Sequence, residues 1–229
     1  QPRTLLFGSE GNFGIITKAI MKVHPIPEAR DYGSLVFPTF KHGVDYLRSL
    51  RETSVVPASI RLVNNTEFRM GQALKPEHTF WGGFVSSIQK FVITKVRRFD
   101  PLQMSACTYL AEGTRDEVAY QRKTILKVAK KYGALSGGAT NGKRGYALTF
   151  GIAYIRDFVS KLGLMGETFE TSVPWTRIHD VIQAVTAELD QQIERLGIQG
   201  RPYFTYRVTQ TYHTGVCIYF TLGFSGKGL

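Results

Sequence analysis

The sequence has few cysteines and no long apolar run, and both shortages restrict the class of protein. Its 229 residues include two cysteines, Cys107 and Cys217, each inside an apolar stretch. We expect two buried, reduced thiols rather than a disulfide, and therefore a reducing compartment. No stretch approaches the roughly 18 uninterrupted apolar residues of a membrane-spanning helix. The five histidines lack the spacing of metal ligands, so we expect no metal site.

Acidic residues are also scarce relative to basic ones. The 29 lysines and arginines outnumber the 18 acidic residues and give a net charge of +11. This charge suits nucleic acid, an anionic membrane surface or an anionic substrate. The basic residues are spread over the ends and outer faces of predicted helices, and no nucleic-acid-binding motif is present. We therefore expect no nucleic-acid partner, and a non-catalytic basic domain that binds nucleic acid or a membrane is the weakest hypothesis.

Segments with strand-like and helix-like periodicity alternate along the chain, which indicates an α+β fold. Strands are predicted at 34–37, 58–63, 103–110, 164–171, 203–211 and 215–224, and helices at 40–50, 65–74, 114–132, 141–161 and 174–196. The two β-α-β patterns favour a largely antiparallel sheet with helices on one face, similar to paired ferredoxin-like units. A further strand is predicted earlier in the chain, at 13–23.

Local signals predict where several helices begin. Thr39 is the expected N-cap of the first long helix, and Thr114 with Glu117 has the spacing of a capping box. Pro174, which follows Ser172, is expected in the first turn of the last long helix.

The basic and apolar segment 82–98 has two interpretations: a core helix, or a helix that touches a membrane or lines a lipid entrance.

A glycine-rich turn at 8–16 is the first candidate binding element. Gly8, Gly11 and Gly14 recur at a spacing of three after an apolar run. Such a turn can direct several backbone N–H groups at a phosphate or a ring edge. The spacing differs from both the dinucleotide fingerprint and the P-loop. From this pattern alone, a plain tight turn and a cofactor loop are equal alternatives.

Polar side chains inside apolar runs are the candidate chemical groups. Arg61 and Arg156 both stand in such runs, and a guanidinium there needs a partner, such as a carboxylate or a phosphate. A structural ion pair, for Arg156 with Asp157, is the equal alternative. Tyr219 is an acid/base candidate, since positive charge or a hydrogen bond can lower the pKa of a tyrosine phenol from about 10. Arg207, in the neighbouring predicted strand, is expected to have a structural role.

Several of these segments together resemble one family of flavoenzymes. The segment 8–17 (GSEGNFGIIT) is similar to the flavin loop of FAD enzymes of the vanillyl-alcohol oxidase type, which include D-lactate dehydrogenases and glycolate oxidases. More specific are 57–62 (PASIRL), 144–146 (RGY), 153–157 (AYIRD), 166–175 (GETFETSVPW), 207–212 (RVTQTY) and 217–220 (CIYF). In order and spacing, these resemble the alkyldihydroxyacetonephosphate synthase family.

The resemblance implies an activity and a cofactor. This family replaces the acyl chain of acyl-dihydroxyacetone phosphate with a fatty alcohol, in ether-lipid biosynthesis. FAD takes part without net redox change, because its N5 is thought to hold the substrate C1 while the acid leaves and the alcohol enters. The expected partners are therefore acyl-dihydroxyacetone phosphate, a fatty alcohol and FAD. An FAD-dependent 2-hydroxyacid dehydrogenase, acting on D-lactate or glycolate, is the alternative.

The resemblance also implies roles for individual residues. FAD contacts fall on the loop residues Glu10, Gly11, Asn12, Phe13, Gly14, Ile15 and Ile16. Arg156 is expected to bind the substrate through its phosphate, and Tyr219 to be the proton donor and acceptor at C1. Arg61 matches a family arginine that activity requires, so Tyr219 and Arg61 are the expected catalytic residues. Asn12 and Phe13 replace the usual Thr-Leu pair, where contacts are expected through the backbone.

The resemblance covers nearly the whole chain and predicts its division. Residues 1–30 are expected to be the C-terminal part of an FAD-binding domain, and 31–229 a substrate-binding cap domain. The family's upstream pyrophosphate-binding loop and its histidine run after the last strand are not in this sequence. We therefore expect that the chain alone neither holds FAD tightly nor turns over. A peroxisomal or glycosomal location, a peripheral membrane contact and a homodimer are further expectations.

Overall fold

A seven-stranded sheet with helices against it forms the body of the protein. The computed structural model describes residues 2–9, 11–73, 99–198 and 200–226. In chain order the elements are α1 (Pro2–Leu6), β1 (Ala29–Phe37), α2 (Phe40–Arg51), β2 (Ser59–Val63), α3 (Asn65–Ala73), β3 (Ser105–Gly113), α4 (Arg115–Lys131), β4 (Leu135–Ser136), α5 (Ala139–Lys161), β5 (Leu164–Pro174), a 3-10 turn (Trp175–Arg177), α6 (Ile178–Arg195), β6 (Tyr203–Thr211) and β7 (Gly215–Ser225).

The strand order shows two related units joined edge to edge. The sheet runs β4-β1-β3-β2-β6-β7-β5, and neighbouring strands are antiparallel throughout. The segment β1-α2-β2-β3-α4-β4 has the order of a ferredoxin-like unit, and β5-α6-β6-β7 repeats its first four elements. The units meet where β2 pairs with β6, through Leu62 opposite Val208 and Val63 opposite Arg207. The predicted α+β fold with paired ferredoxin-like units is confirmed.

Two of the three predicted helix starts are correct. The Thr39 side chain accepts from the backbone N–H of His42, and Thr114 forms a full capping box with Glu117. The prediction for Pro174 is wrong, because this residue ends β5 and α6 begins only at Ile178. β5 is an edge strand, and its last position tolerates a residue that lacks a backbone N–H.

One sheet face carries the hydrophobic core, under α2, α4 and α6. The buried side chains of this layer include Leu35, Phe37, Tyr46, Leu47, Leu62, Ile125, Ile178, Val208, Ile218 and Phe220. Such burial is the main favourable contribution to folding. Both cysteines are buried and free, as predicted.

The predicted strand at 13–23 is wrong for the chain as described. Residues 15–27 have no helix or strand assigned, and the apolar side chains are exposed, up to 99% for Ile20. A strand needs a neighbour whose backbone groups complete its hydrogen bonds. No strand of the described sheet pairs with this segment, so its β-branched residues alone do not form one.

Both interpretations of 82–98, as a core helix or as a helix that touches a membrane or lines a lipid entrance, stay predictions, because this segment lies outside the described residues. Among the helices that the structure does describe, none has the length and apolar character needed to cross a membrane.

Candidate functional site

Helix α5 lies on the sheet face opposite to α2, α4 and α6, so the expectation of helices on one face is wrong. The Ser34 hydroxyl donates to the carbonyl of Gly138 at 3.0 Å, and the ring of Tyr32 lies 5.6 Å from that of Tyr146. Ser34 and Tyr32 alternate along β1 with the core residues, so they point to the other face. The sheet is therefore covered on both faces, and α5 makes a second layer over β1 and β3.

Two glycines allow α5 to lie close to the sheet. A Cβ atom on Gly142 would stand 2.5 Å from the backbone of Gly33, and one on Gly145 would stand 2.5 Å from the Thr108 side chain. Glycine inside a helix costs about 1 kcal/mol relative to alanine. Two glycines three residues apart in a helix are therefore a sequence signal for close approach to a neighbouring element, but they do not tell which sheet face the helix covers.

Arg61 projects from β2 between the sheet and α5. It pairs in register with Thr108 on β3, and its guanidinium donates to the hydroxyl of Thr149 on α5. Burial lowers the pKa of Arg61, and the positive charge of Arg207 adds to this effect. Arg61 makes no ion pair with a carboxylate among the described residues. It is thus a partly desolvated cation held by a neutral hydroxyl, which suits an incoming anion.

Tyr219 lies on the same face as Arg61, with Arg207 between them. Arg207 on β6 pairs in register with Tyr219 on β7 and also with Val63 on β2. The central guanidinium carbon of Arg207 stands 4.5 Å from the centre of the Tyr219 ring. Glu170 on β5 lies opposite Tyr219 on its other side. Two sequence motifs that are more than a hundred residues apart therefore meet on one polar face.

Arg156 is on α5 and is exposed, so the expected desolvation of its guanidinium is wrong, whereas the alternative, an ion pair with Asp157, is present. Its side chain is 71% exposed, and Nη2 lies 3.5 Å from Asp157 Oδ1. Exposed pairs of this kind contribute little to stability. Arg156 follows Thr149 by two helical turns on the same face of α5. No contact among the described residues joins it to Arg61 or Tyr219, and its charge is open to a ligand.

The glycine loop presents an open backbone. Gly8, Gly11 and Gly14 have φ values of 77, 82 and 142°, and a Cβ on any of them would meet no described atom within 4 Å. The following Phe13 and Ile15 are exposed by 62% and 91%. Left-handed glycines with free approach and adjacent apolar side chains fit one wall of a flavin pocket. Of the predicted FAD contacts, Glu10 lies outside the described residues.

A cavity beside Arg61 is too small for the expected ligands. It has a volume of about 210 Å³ and lies between the start of β2 and the end of β6, near the bulge at Thr209. Sites for drug-sized ligands usually measure about 300–1,000 Å³. The described part of the chain also holds no cluster of three metal-ligating side chains.

Comparison with known proteins identifies the family. Residues 26–229 match the family model described as FAD linked oxidases, C-terminal domain. The chain belongs to this family of FAD-linked oxidase C-terminal domains. Because the proteins of this family are FAD-linked, membership confirms FAD as the predicted cofactor and supports an FAD-dependent enzyme.

Two curated relatives of this chain share a name. The chain is 39% identical over 226 residues to the alkyldihydroxyacetonephosphate synthase of Caenorhabditis elegans, covering 98% of the chain and 38% of that protein. It is 30% identical over 216 residues to the synthase of Dictyostelium discoideum, covering 94% of the chain and 35% of that protein. The resemblance found in the sequence is confirmed, and the chain spans little more than a third of these relatives.

Solved structures agree with this relation. A structure of an alkyldihydroxyacetonephosphate synthase superposes with a TM-score of 0.78 at 28% identity, over 99% of this chain and 41% of that one. The 4-ethylphenol oxidase from Gulosibacter chungangensis has a TM-score of 0.53 at 9% identity, over 90% of this chain and 41% of that one. At that identity, the second likeness shows the fold alone.

Proposed function

We propose that this chain forms the substrate-binding part of an alkyldihydroxyacetonephosphate synthase. The enzyme replaces the acyl chain of acyl-dihydroxyacetone phosphate with a fatty alcohol, which gives the ether bond of ether lipids. The names of the relatives support this proposal, as does their similarity over nearly the whole chain. In the same proposal, residues 1–30 end an FAD-binding domain, residues 31–229 form the cap, and the protein is peroxisomal or glycosomal.

The main observation behind the proposal is that Arg61 and Tyr219 lie on the same face of the sheet. The fold brings these two predicted catalytic residues onto one polar face of the sheet, on strands β2 and β7, which are separated only by β6 and its Arg207. The helix that carries Arg156 lies on the same face, where its Thr149 contacts Arg61. A site for a phosphorylated ketone needs a cation for the phosphate and an acid/base group for the carbon beside the ketone. This face offers both kinds of group.

Each residue has a distinct role in the proposed reaction. Arg156 binds the phosphate, for which its planar fork of donors is suited. The Tyr219 phenol takes a proton from C1 of the substrate and returns it after the exchange. Arg61 stabilises negative charge near that carbon from its fixed position against Thr149. The backbone of residues 11–16 would hold part of the bound FAD, which would supply a nucleophilic ring nitrogen without net oxidation.

An exchange assay on the complete protein tests this function. We expect incorporation of a radiolabelled fatty alcohol into ether lipid when acyl-dihydroxyacetone phosphate is supplied, with no lasting reduction of the flavin. D-Lactate and glycolate are the comparison substrates, with flavin absorbance as the readout. Flavin reduction by either acid, without alkyl exchange, would instead support the 2-hydroxyacid dehydrogenase hypothesis.

Substitution of Arg156 tests the phosphate role separately. We expect Arg156→Ala to raise the KM for the phosphorylated ketone at least about tenfold, because a charge-assisted contact is lost. Lys161→Ala, which removes another cation of α5, is the matched control and should leave KM unchanged. An unaltered KM in Arg156→Ala would exclude the phosphate role.

A further inference from the structure

Arg207 lies over the aromatic ring of Tyr219. Its guanidinium lies over the face of the ring at 4.5 Å, and the two residues are directly opposite each other on β6 and β7. A cation over an aromatic face is attracted by the ring quadrupole, which restricts the orientation of both groups. This cation–π contact therefore holds the plane of the Tyr219 ring, which carries the phenolic oxygen.

Glu67 forms an ion pair with Arg207. Arg207 Nη1 donates to Glu67 Oε1 at 2.7 Å, and the two side chains are only 21% and 15% exposed. A charge-assisted pair at this depth is screened little by solvent. The Arg207 guanidinium is consequently restrained by two groups, a carboxylate and the Tyr219 ring.

The position of Glu67 is itself set by the start of α3. The Asn64 side chain accepts from the backbone N–H of Glu67 at 3.0 Å, which caps this helix. The buried Thr205 hydroxyl donates to Asn64 Oδ1 at 2.5 Å, and it lies 3.5 Å from Glu67 Oε2. The negative charge in the first turn is also favoured by the helix dipole. These contacts link the α3 cap to the ring of Tyr219 through Glu67 and Arg207.

We propose that Arg207, anchored by Glu67, is a positioning residue that orients the Tyr219 phenol for proton transfer. The expected effect of Arg207 on the rate rests on the proposed function, whereas its expected effect on the orientation of the Tyr219 ring does not. It assigns Arg207 a role beyond the structural one expected from the sequence. The role of Arg207 thus differs from that of Arg61, whose guanidinium is held by a hydroxyl and is open to an anion.

The test compares Arg207→Met with Arg207→Lys in the complete protein. We expect Arg207→Met to lower kcat by about 10- to 100-fold with little change in KM, because a small misplacement of a reacting group is costly. Arg207→Lys, which keeps the cation, should recover part of kcat. Arg30→Met is the matched control, because Arg30 pairs with Glu112 at 2.8 Å elsewhere on the sheet, and it should leave kcat unchanged.

A double variant distinguishes a loss of positioning from a loss of folding. Arg207→Met leaves Glu67 without its partner in a mostly buried position, whereas Arg207→Met with Glu67→Gln removes both charges. We expect the double variant to fold and to keep the reduced kcat. A wild-type kcat in either variant would overturn the proposal.

A crystal structure of the double variant gives a readout that is independent of activity. We expect the Tyr219 ring to adopt a different orientation or more than one. An unchanged ring would overturn the proposal. Absence of exchange in the wild-type protein would instead refute the proposed function, and the ring orientation would still test the positioning by Arg207.

Discussion

Replacing Tyr219 with phenylalanine is expected to lower the rate of alkyl exchange by about 10²–10⁴-fold, the usual contribution of a general acid/base group. Phenylalanine keeps the ring that stacks on Arg207, so the sheet and the position of that arginine should be preserved. Only the phenolic oxygen is lost. The flavin should remain bound with its normal absorbance, because none of the predicted FAD contacts is altered.

Tyr32→Phe is the matched control for this variant. Tyr32 lies on the same sheet face, but its ring packs against Tyr146 under α5 rather than against Arg207. Its rate of exchange should stay at the wild-type value. A near wild-type rate for Tyr219→Phe would mean that the tyrosine serves only in packing, and the proposed acid/base role would be wrong.

Gly142→Ala is expected to destabilise the protein and to impair exchange together. The new methyl group would stand 2.5 Å from backbone atoms of Gly33, which cannot rotate away. Overpacking of this kind typically costs about 1–3 kcal/mol of unfolding free energy. Since α5 must move away from the sheet, Thr149 should also withdraw from Arg61, and the kcat of exchange should fall.

Gly151→Ala is the control, because it changes the same helix where a Cβ would meet no described atom within 4 Å. The loss of a helical glycine there should stabilise the protein by up to about 1 kcal/mol. Chemical denaturation of both variants, followed by helix signal and by flavin absorbance, measures the difference. Equal stability of the two variants would contradict the close contact between α5 and β1.

Much of the fold could be predicted from the sequence because its signals are local. The capping residues Thr39 and Thr114 mark helix starts through contacts three residues away. The errors concern contacts between distant segments. Pro174 is a helix-start residue by local preference, but pairing with Gly215 keeps it in β5. The side of the sheet that α5 covers depends on Gly142 meeting Gly33, which no periodicity reveals.

The candidate site was predictable in part, for a similar reason. Arg61 and Tyr219 stand out because each is polar within an apolar strand. Glu67 and Thr149 were missed, since neither shows its partner in its own segment: Glu67 reaches Arg207 across 140 residues, and Thr149 reaches Arg61 across 88. Arg156 is exposed although its neighbours in the sequence are apolar, because side chains at successive positions of a helix point in different directions.

The most direct measurement is a structure of the complete protein with FAD and an unreactive analogue of acyl-dihydroxyacetone phosphate. We expect the analogue on the face between the sheet and α5, with its phosphate at Arg156 and its C1 about 3–3.5 Å from the Tyr219 oxygen. Binding on the other face of the sheet, or with Tyr219 out of reach of C1, would contradict the placement of the active site at Arg61, Arg207 and Tyr219.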